Sequence, residues 1–98
     1  MSIIVVARIK AKQGSEKILE DACRAMVPKV RGEAGTETYI CHRSVPDPSV
    51  FLFYEVYKDQ AAFEAHGNSP HMAEFLVALR GNLDGHPQID MLSVLDKK

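Results

Sequence analysis

The chain has no tryptophan, only two cysteines, no cluster of basic residues and no apolar run long enough to cross a bilayer. Each shortage removes a class of function. Cys23 and Cys41 are too few for a disulfide framework, and neither lies in a C-x-x-C pair or beside a cationic cluster in the sequence. The expectation is two buried thiols in a reducing compartment, not a bridge or a reactive centre. With 12 basic and 13 acidic residues scattered along it, the chain has a net charge of −1 and offers no field for a nucleic acid backbone or a membrane surface. The opening Met1-Ser2-Ile3-Ile4-Val5-Val6-Ala7-Arg8 lacks a basic leader and soon turns polar, so it reads as a first strand and the expected location is cytoplasmic. Glycine-rich phosphate loops are missing, which argues against a bound nucleotide or flavin. No nucleophile elbow is present to carry Ser-His-Asp chemistry.

What is present is the pattern of one ordinary α+β domain spanning residues 1–98, with 46% hydrophobic and 26% charged residues. Residues 3–10 are β-rich and apolar on both faces near their start. Ser15 is a candidate helix cap, followed by Ile18, Leu19, Ala22, Cys23, Met26, Val27 and Val30 at helical spacing, with Pro28 as an irregularity in the last turn. Residues 36–43 read as a second strand. Residues 50–57 give the clearest one, with Phe51, Phe53, Glu55 and Tyr57 on one face and Leu52, Tyr54 and Val56 on the other. Asp59 caps a short helix through His66. Ser69 and Pro70 open the next, with Met72, Phe75, Leu76, Leu79 and Leu83 as its expected buried stripe and Gly85-His86-Pro87 as its stop. Residues 89–95 form the expected last strand. The order β-α-β-β-α-β predicts a ferredoxin-like antiparallel sheet with helices on one face. Apolar residues on the other face predict that it packs against a second copy, as a symmetric homodimer.

The block from Tyr54 to His71, Y-E-V-Y-K-D-Q-A-A-F-E-A-H-G-N-S-P-H, brings a carboxylate, a phenol and two imidazoles to strand and helix ends. Glu55 lies among aromatic residues and is expected to be either a pocket group with a raised pKa or the partner of an arginine such as Arg8 or Arg31. Tyr57 is a candidate donor to a substrate oxygen, and His71 stands where a helix dipole disfavours the imidazolium. His66 and His71 are five residues apart across a helix break, with Glu74 nearby. Two-histidine helical motifs use i, i+4 on an unbroken face, so no metal is expected.

With these residues in place, the chain resembles the antibiotic biosynthesis monooxygenase family of dimeric α/β-barrel proteins. The resemblance rests on I-I-V-V-A-R-I-K-A-K-Q-G, on R-G-E-A-G-T-E-T-Y and above all on the block just described. It implies a homodimer whose sheets pack together, each subunit holding a pocket between helices and sheet. His66 matches the family's characteristic helix-end histidine. Many members have Trp where this chain has Tyr57, and the haem-degrading branch has Trp at the position of His66 and an axial histidine near Leu76, so haem is not expected. The segment Tyr54 to Asp59 looks like that of a branch that isomerises a phosphorylated autoinducer-2 signal.

The resemblance thus implies a cofactor-independent monooxygenase that uses O2 to oxidise an aromatic polyphenol or quinol. His66 would be the base, tuned by Glu55, and Tyr57 would orient the ring oxygen. Phe53, Phe63, Met72 and His71 would line the substrate slot, with Arg8 as a substrate-binding cation. Two alternatives stand beside it: an isomerase of a small carbonyl compound, using Arg8, Arg31 or Arg43 for a phosphate, and a non-catalytic dimeric ligand-binding module.

Overall fold

The computed structural model describes residues 2–98. The chain runs through β1 (Ile3–Lys10), α1 (Glu16–Val30), β2 (Thr36–Arg43), β3 (Val50–Tyr57), α2 (Gln60–Gly67), α3 (Pro70–Leu79) and β4 (Gln88–Leu92). The four strands form one antiparallel sheet in the order β2-β3-β1-β4, an α+β ferredoxin-like arrangement in which the second helical region is split in two.

Alternation along β3 decides which side of the sheet is covered. Phe51, Phe53, Glu55 and Tyr57 are all buried, and the register sets Ile9, Ala7, Val5 and Ile3 of β1 opposite them on the same face. Cys41 and Tyr39 of β2 continue that face beside Phe53 and Glu55. Leu19, Cys23, Met26 and Val30 of α1 recur at helical spacing, are buried, and form the stripe this helix turns inward. Leu19 and Cys23 join Ile9, Phe51, Phe53 and Leu79 in one apolar cluster. Pro28 does not end α1. It sits exposed in the last turn.

Three sequence expectations are corrected here. Ser15 makes no side-chain cap on α1; its hydroxyl instead donates to Asn82 Oδ1 at 3.0 Å. The buried stripe of α3 is narrower than expected, since Leu76 is 53% exposed. That helix also stops at Leu79, before Leu83, because Arg80 turns to an extended conformation and Gly81 follows at φ +79°. Finally, β4 ends at Leu92, short of Leu95. Ile89 and Met91 share the helix-facing side with Ala7 and Val5 yet stay half exposed, because β4 is the edge strand beyond the helices.

The segment after α3 is clasped to the start of the chain. Lys12 N–H donates to Asn82 O at 2.9 Å, Asp84 N–H to Lys10 O at 2.8 Å, and Ala11 bridges Leu83. The opposite end of α3 is fixed by the site itself. Among the described residues no helix is long and apolar enough to cross a membrane.

Candidate active site

Two well-capped helices present the two histidines. Asp59 accepts the Ala62 N–H at 2.8 Å and starts α2, which carries His66 in its last turn. Ser69 then serves both helices. Its hydroxyl donates to the His66 carbonyl at 2.7 Å and accepts the Met72 N–H at 3.2 Å, while Pro70 occupies the first turn of α3. This stitch fixes the helix break, so His66 and His71 converge on one point although they are five residues apart.

That point is Glu33, in the loop between α1 and β2. His66 Nδ1 lies 3.0 Å from both carboxylate oxygens, and His71 Nε2 bonds Oε2. Thr36 Oγ1 donates to Oε1 at 2.6 Å. The loop comes this close because Gly35 leaves room for α2: a Cβ there would lie 2.4 Å from the Ala62 Cβ. Burial alone would raise the Glu33 carboxyl, but the hydrogen bonds from Thr36, His71 and His66 outweigh it and hold the group below its ordinary 4.5.

An ionised carboxylate only accepts, so each imidazole nitrogen facing Glu33 carries a proton. In neutral His66 the remaining nitrogen, Nε2, therefore bears a lone pair. It is fully buried and has no hydrogen-bond partner among the described residues. The rings of Tyr57 and Tyr39 stand 5.3 and 5.4 Å from the imidazole.

Glu55 neighbours this group on β3. It is not paired with Arg8 or Arg31; it accepts a 2.5 Å hydrogen bond from the Tyr57 hydroxyl. Burial pushes its carboxyl up, with the Tyr57 bond and the nearby His66 pulling back and the Glu33 charge adding to the rise. Burial, then Glu55, pushes the Tyr57 hydroxyl up as well. Tyr57 is fully buried and its proton is committed to Glu55, which differs from the expected role of orienting a substrate.

The remaining candidates divide. Phe63 packs edge-on against Tyr57 at 5.5 Å, and Phe53 lies in the core between Tyr39 and Phe75. Met72 is half-buried and stands outside the hydrogen-bonded group. Arg8 is on the wrong face. It pairs with Leu52, and alternation points it away from Glu55 and the helices. Glu33, the hub of the group, is not among the expected site residues; its signals are the neighbouring Gly32 and Gly35 and its place in the R-G-E-A-G-T-E-T-Y block. Glu74 turns out to bond Lys29 at 2.9 Å and takes no part. Glu33, His66 and His71 offer three ligand atoms within 4.8 Å of one another, a spacing that a divalent cation accepts once the two imidazole protons leave.

Beside the site, α1 and β2 border an open cavity of about 470 Å³. Val27, Ile40 and Phe51 give it apolar walls and Arg24, Arg31 and Arg43 its charge. Tyr39 lines it too, one ring away from His66. A smaller pocket of about 170 Å³ between α1 and α3 is lined by His71 and Phe75.

Comparison with known proteins follows this geometry. A Pseudomonas aeruginosa protein of known structure superposes with a TM-score of 0.91 at 33% identity, over 97% of this chain and 95% of that one. A Caulobacter crescentus structure described as a candidate antibiotic biosynthesis monooxygenase gives 0.89 at 25% identity, over 97% and 91%. An uncharacterised Synechocystis protein is 27% identical over 74 residues, which are 76% of this chain and 50% of that protein, so the chain spans about half the length of this curated relative. The antibiotic biosynthesis monooxygenase family model matches residues 2–78, and with this fold and this match the chain belongs to that family.

Proposed function

We propose that the protein is a cofactor-independent monooxygenase acting on an aromatic quinol or polyphenol. The observation that carries this reading is the buried, unpartnered Nε2 of His66, whose other nitrogen is tied to the Glu33 carboxylate. A base needs one nitrogen free and the ring held in one tautomer, and the carboxylate supplies both orientation and a counter-charge for the imidazolium that forms. Glu33 thus takes the tuning role expected of Glu55.

The chemistry needs little more. His66 Nε2 takes a quinol proton, and the electron-rich quinolate passes an electron to O2. The two radicals combine, forming a carbon–oxygen bond at the ring. His66 returns its proton to the peroxide; the C–H bond at that ring carbon and the O–O bond then break together, leaving a carbonyl on the ring while the distal oxygen leaves as water with both protons. A hydroquinone and O2 become a hydroxyquinone and water. The apolar walls around Tyr39 and Phe51 suit a flat ring.

The test is oxygen uptake by metal-stripped protein with a panel of hydroquinones and naphthoquinols, measured against autoxidation. His66→Ala is expected to lose roughly 10²–10⁴-fold in turnover. Uptake unchanged in that variant would remove His66 as the base. Turnover that returns only with an added divalent ion would recast Glu33, His66 and His71 as ligands.

A second reading is favoured by one observation. Arg31 and Arg43 meet Arg24 at the 470 Å³ cavity, which suits a phosphorylated carbonyl substrate and an isomerase using the same histidine. Turnover without oxygen would select it.

We further infer a homodimer through the uncovered sheet face. Val6, Tyr54 and Ile40 lie in register there, with Tyr54 and Ile40 exposed, an apolar row that a second copy would cover. Sedimentation equilibrium at a monomer mass would rule this out.

A further inference from the structure

Both thiols face the α1–β2 cavity, and neither takes part in the site at His66. Cys23 is on the inward stripe of α1 and is 1% exposed; Cys41 is on the helix-facing side of β2 and is half-buried. They are 18 positions apart in sequence (41 − 23), yet Cys41 packs against the apolar cluster that holds Cys23, and both line the same cavity. The sequence shows no cationic cluster near either. The fold builds one, because Arg24 follows Cys23 on α1, Arg43 lies two residues beyond Cys41, and Arg31 joins them on the cavity wall. Glu20 neutralises only part of this charge, with Arg43 Nη2 at 2.6 Å and Arg24 Nε at 2.9 Å. Cys23 packs in the apolar cluster, but on its cavity side the pair meets charged residues. A half-buried cysteine beside a second thiol, on a cavity wall shared with three arginines, is in the environment of a reactive one.

The two sulfurs differ in kind. Cys23 is 1% exposed, whereas Cys41 is half-buried and the more open of the two. The neighbouring Cys23 thiol, with Arg24 and Arg43, also lowers the Cys41 thiol against the effect of burial. Cys41 is therefore the nucleophile and Cys23 the second thiol.

We propose that Cys41 is a hydroperoxide-reactive thiol and Cys23 its resolving partner, the two closing into an intrachain disulfide across the α1–β2 cavity. The Cys41 thiolate attacks the peroxide, forming an S–O bond as the O–O bond breaks, and the distal oxygen leaves as water or an alcohol after taking a proton. Cys23 then attacks the Cys41 sulfenic sulfur. An S–S bond forms, the S–O bond breaks, and hydroxide leaves as water with the Cys23 proton. The thiol pair gives up two electrons and the peroxide gains them; a dithiol reverses the change. Tyr39, two residues before Cys41, lines the same cavity beside His66, so the bridge forms where a ligand of the proposed enzyme would enter.

The experiment uses the full chain, reduced and freed of reductant, exposed to hydrogen peroxide and quenched with an alkylating agent. Intact mass should show loss of two hydrogens with no alkylation, and a non-reducing digest should join the Cys23 and Cys41 peptides. In Cys23→Ser, dimedone should label Cys41, at a rate about tenfold above that of the urea-unfolded chain. Cys23→Ala replaces it if the serine variant does not fold, and the wild-type digest needs no variant. Disulfides between chains, preferential labelling of Cys23 in Cys41→Ser, or a native rate equal to the unfolded one would overturn the proposal. None of these readouts depends on turnover at His66.

Discussion

Glu33 and Glu55 lie beside the same histidine, and the protein treats them in opposite ways. Glu33 comes from a loop, accepts from Thr36, His66 and His71, and stays ionised despite burial. Glu55 comes from the middle of a strand, accepts one hydrogen bond from Tyr57, and is pushed up by burial. The number of donors decides the difference, since each N–H or O–H aimed at a carboxylate favours its charged form and desolvation works against it. Neighbouring carboxyl groups driven apart in this way differ in charge: Glu33 is held as the fixed charge beside His66, and Glu55 is the group pushed toward its protonated form.

The contrast can be attacked directly. The largest expected effect is on turnover. Glu33→Gln leaves an amide that cannot hold both imidazoles in their donor tautomers, and quinol-dependent oxygen uptake should fall about 10²-fold. Glu55→Gln should cost less, and equal losses would erase the distinction.

Next is Gly35→Ala. The added carbon meets Ala62 on α2 and should destabilise the fold by about 1–3 kcal/mol in urea unfolding. It strains the Glu33–His66 approach while leaving Glu55 and Tyr57 on their strand, and Ala62→Gly in the same chain should recover part of the loss.

Tyr57→Phe tests the other carboxylate. It removes the one hydrogen bond Glu55 accepts, so its carboxyl should rise further, and about 1–2 kcal/mol of stability should be lost at neutral pH. That deficit should shrink in acid as Glu55 protonates.

The smallest effects lie in the pH dependence of the urea midpoint. The native pKa of Glu33 is lowered, so its contribution is complete above 4.5 and is lost as pH falls through the native value. For Glu55 the native value is raised, so its contribution is complete below 4.5 and is lost as pH rises through that value. Glu33→Gln should therefore flatten the acid limb and Glu55→Gln the limb above it. A single limb altered by both would show the two to be one titrating unit.

Much of this architecture is legible in the chain because its signals are local. The strict alternation of β3 and the Asp59 and Ser69 caps need only a few neighbouring residues to take effect. Ser15 misleads because its hydroxyl finds Asn82, 67 residues away, in preference to its own helix. Arg8 misleads because β1 is apolar on both sides, so alternation alone does not say which face the helices cover. Leu76 fits the periodicity of α3 equally well, but that short helix meets the core along a single line through Leu79. Glu33 stays hidden in R-G-E-A-G for a stronger reason. Thr36 alone among its near neighbours bonds it, and the partners that make it a hub arrive only with α2 and α3. The arginines around Cys23 and Cys41 are concealed in the same way, spread over two elements that the fold brings together.

The reach of Glu33 has a consequence for how the protein comes into being. Its bonds to His66 and His71 close loops of 33 and 38 residues, and the clasp at Asn82 closes one of 67. Contacts so distant along the chain form late, after loop-closure entropy has been overcome. A newly made chain with its helices formed and its sheet incomplete would hold both imidazoles but no carboxylate between them. The Glu33–His66–His71 group would then assemble in one step with the finished fold, and under the proposed function oxygen uptake would report folding as well as chemistry.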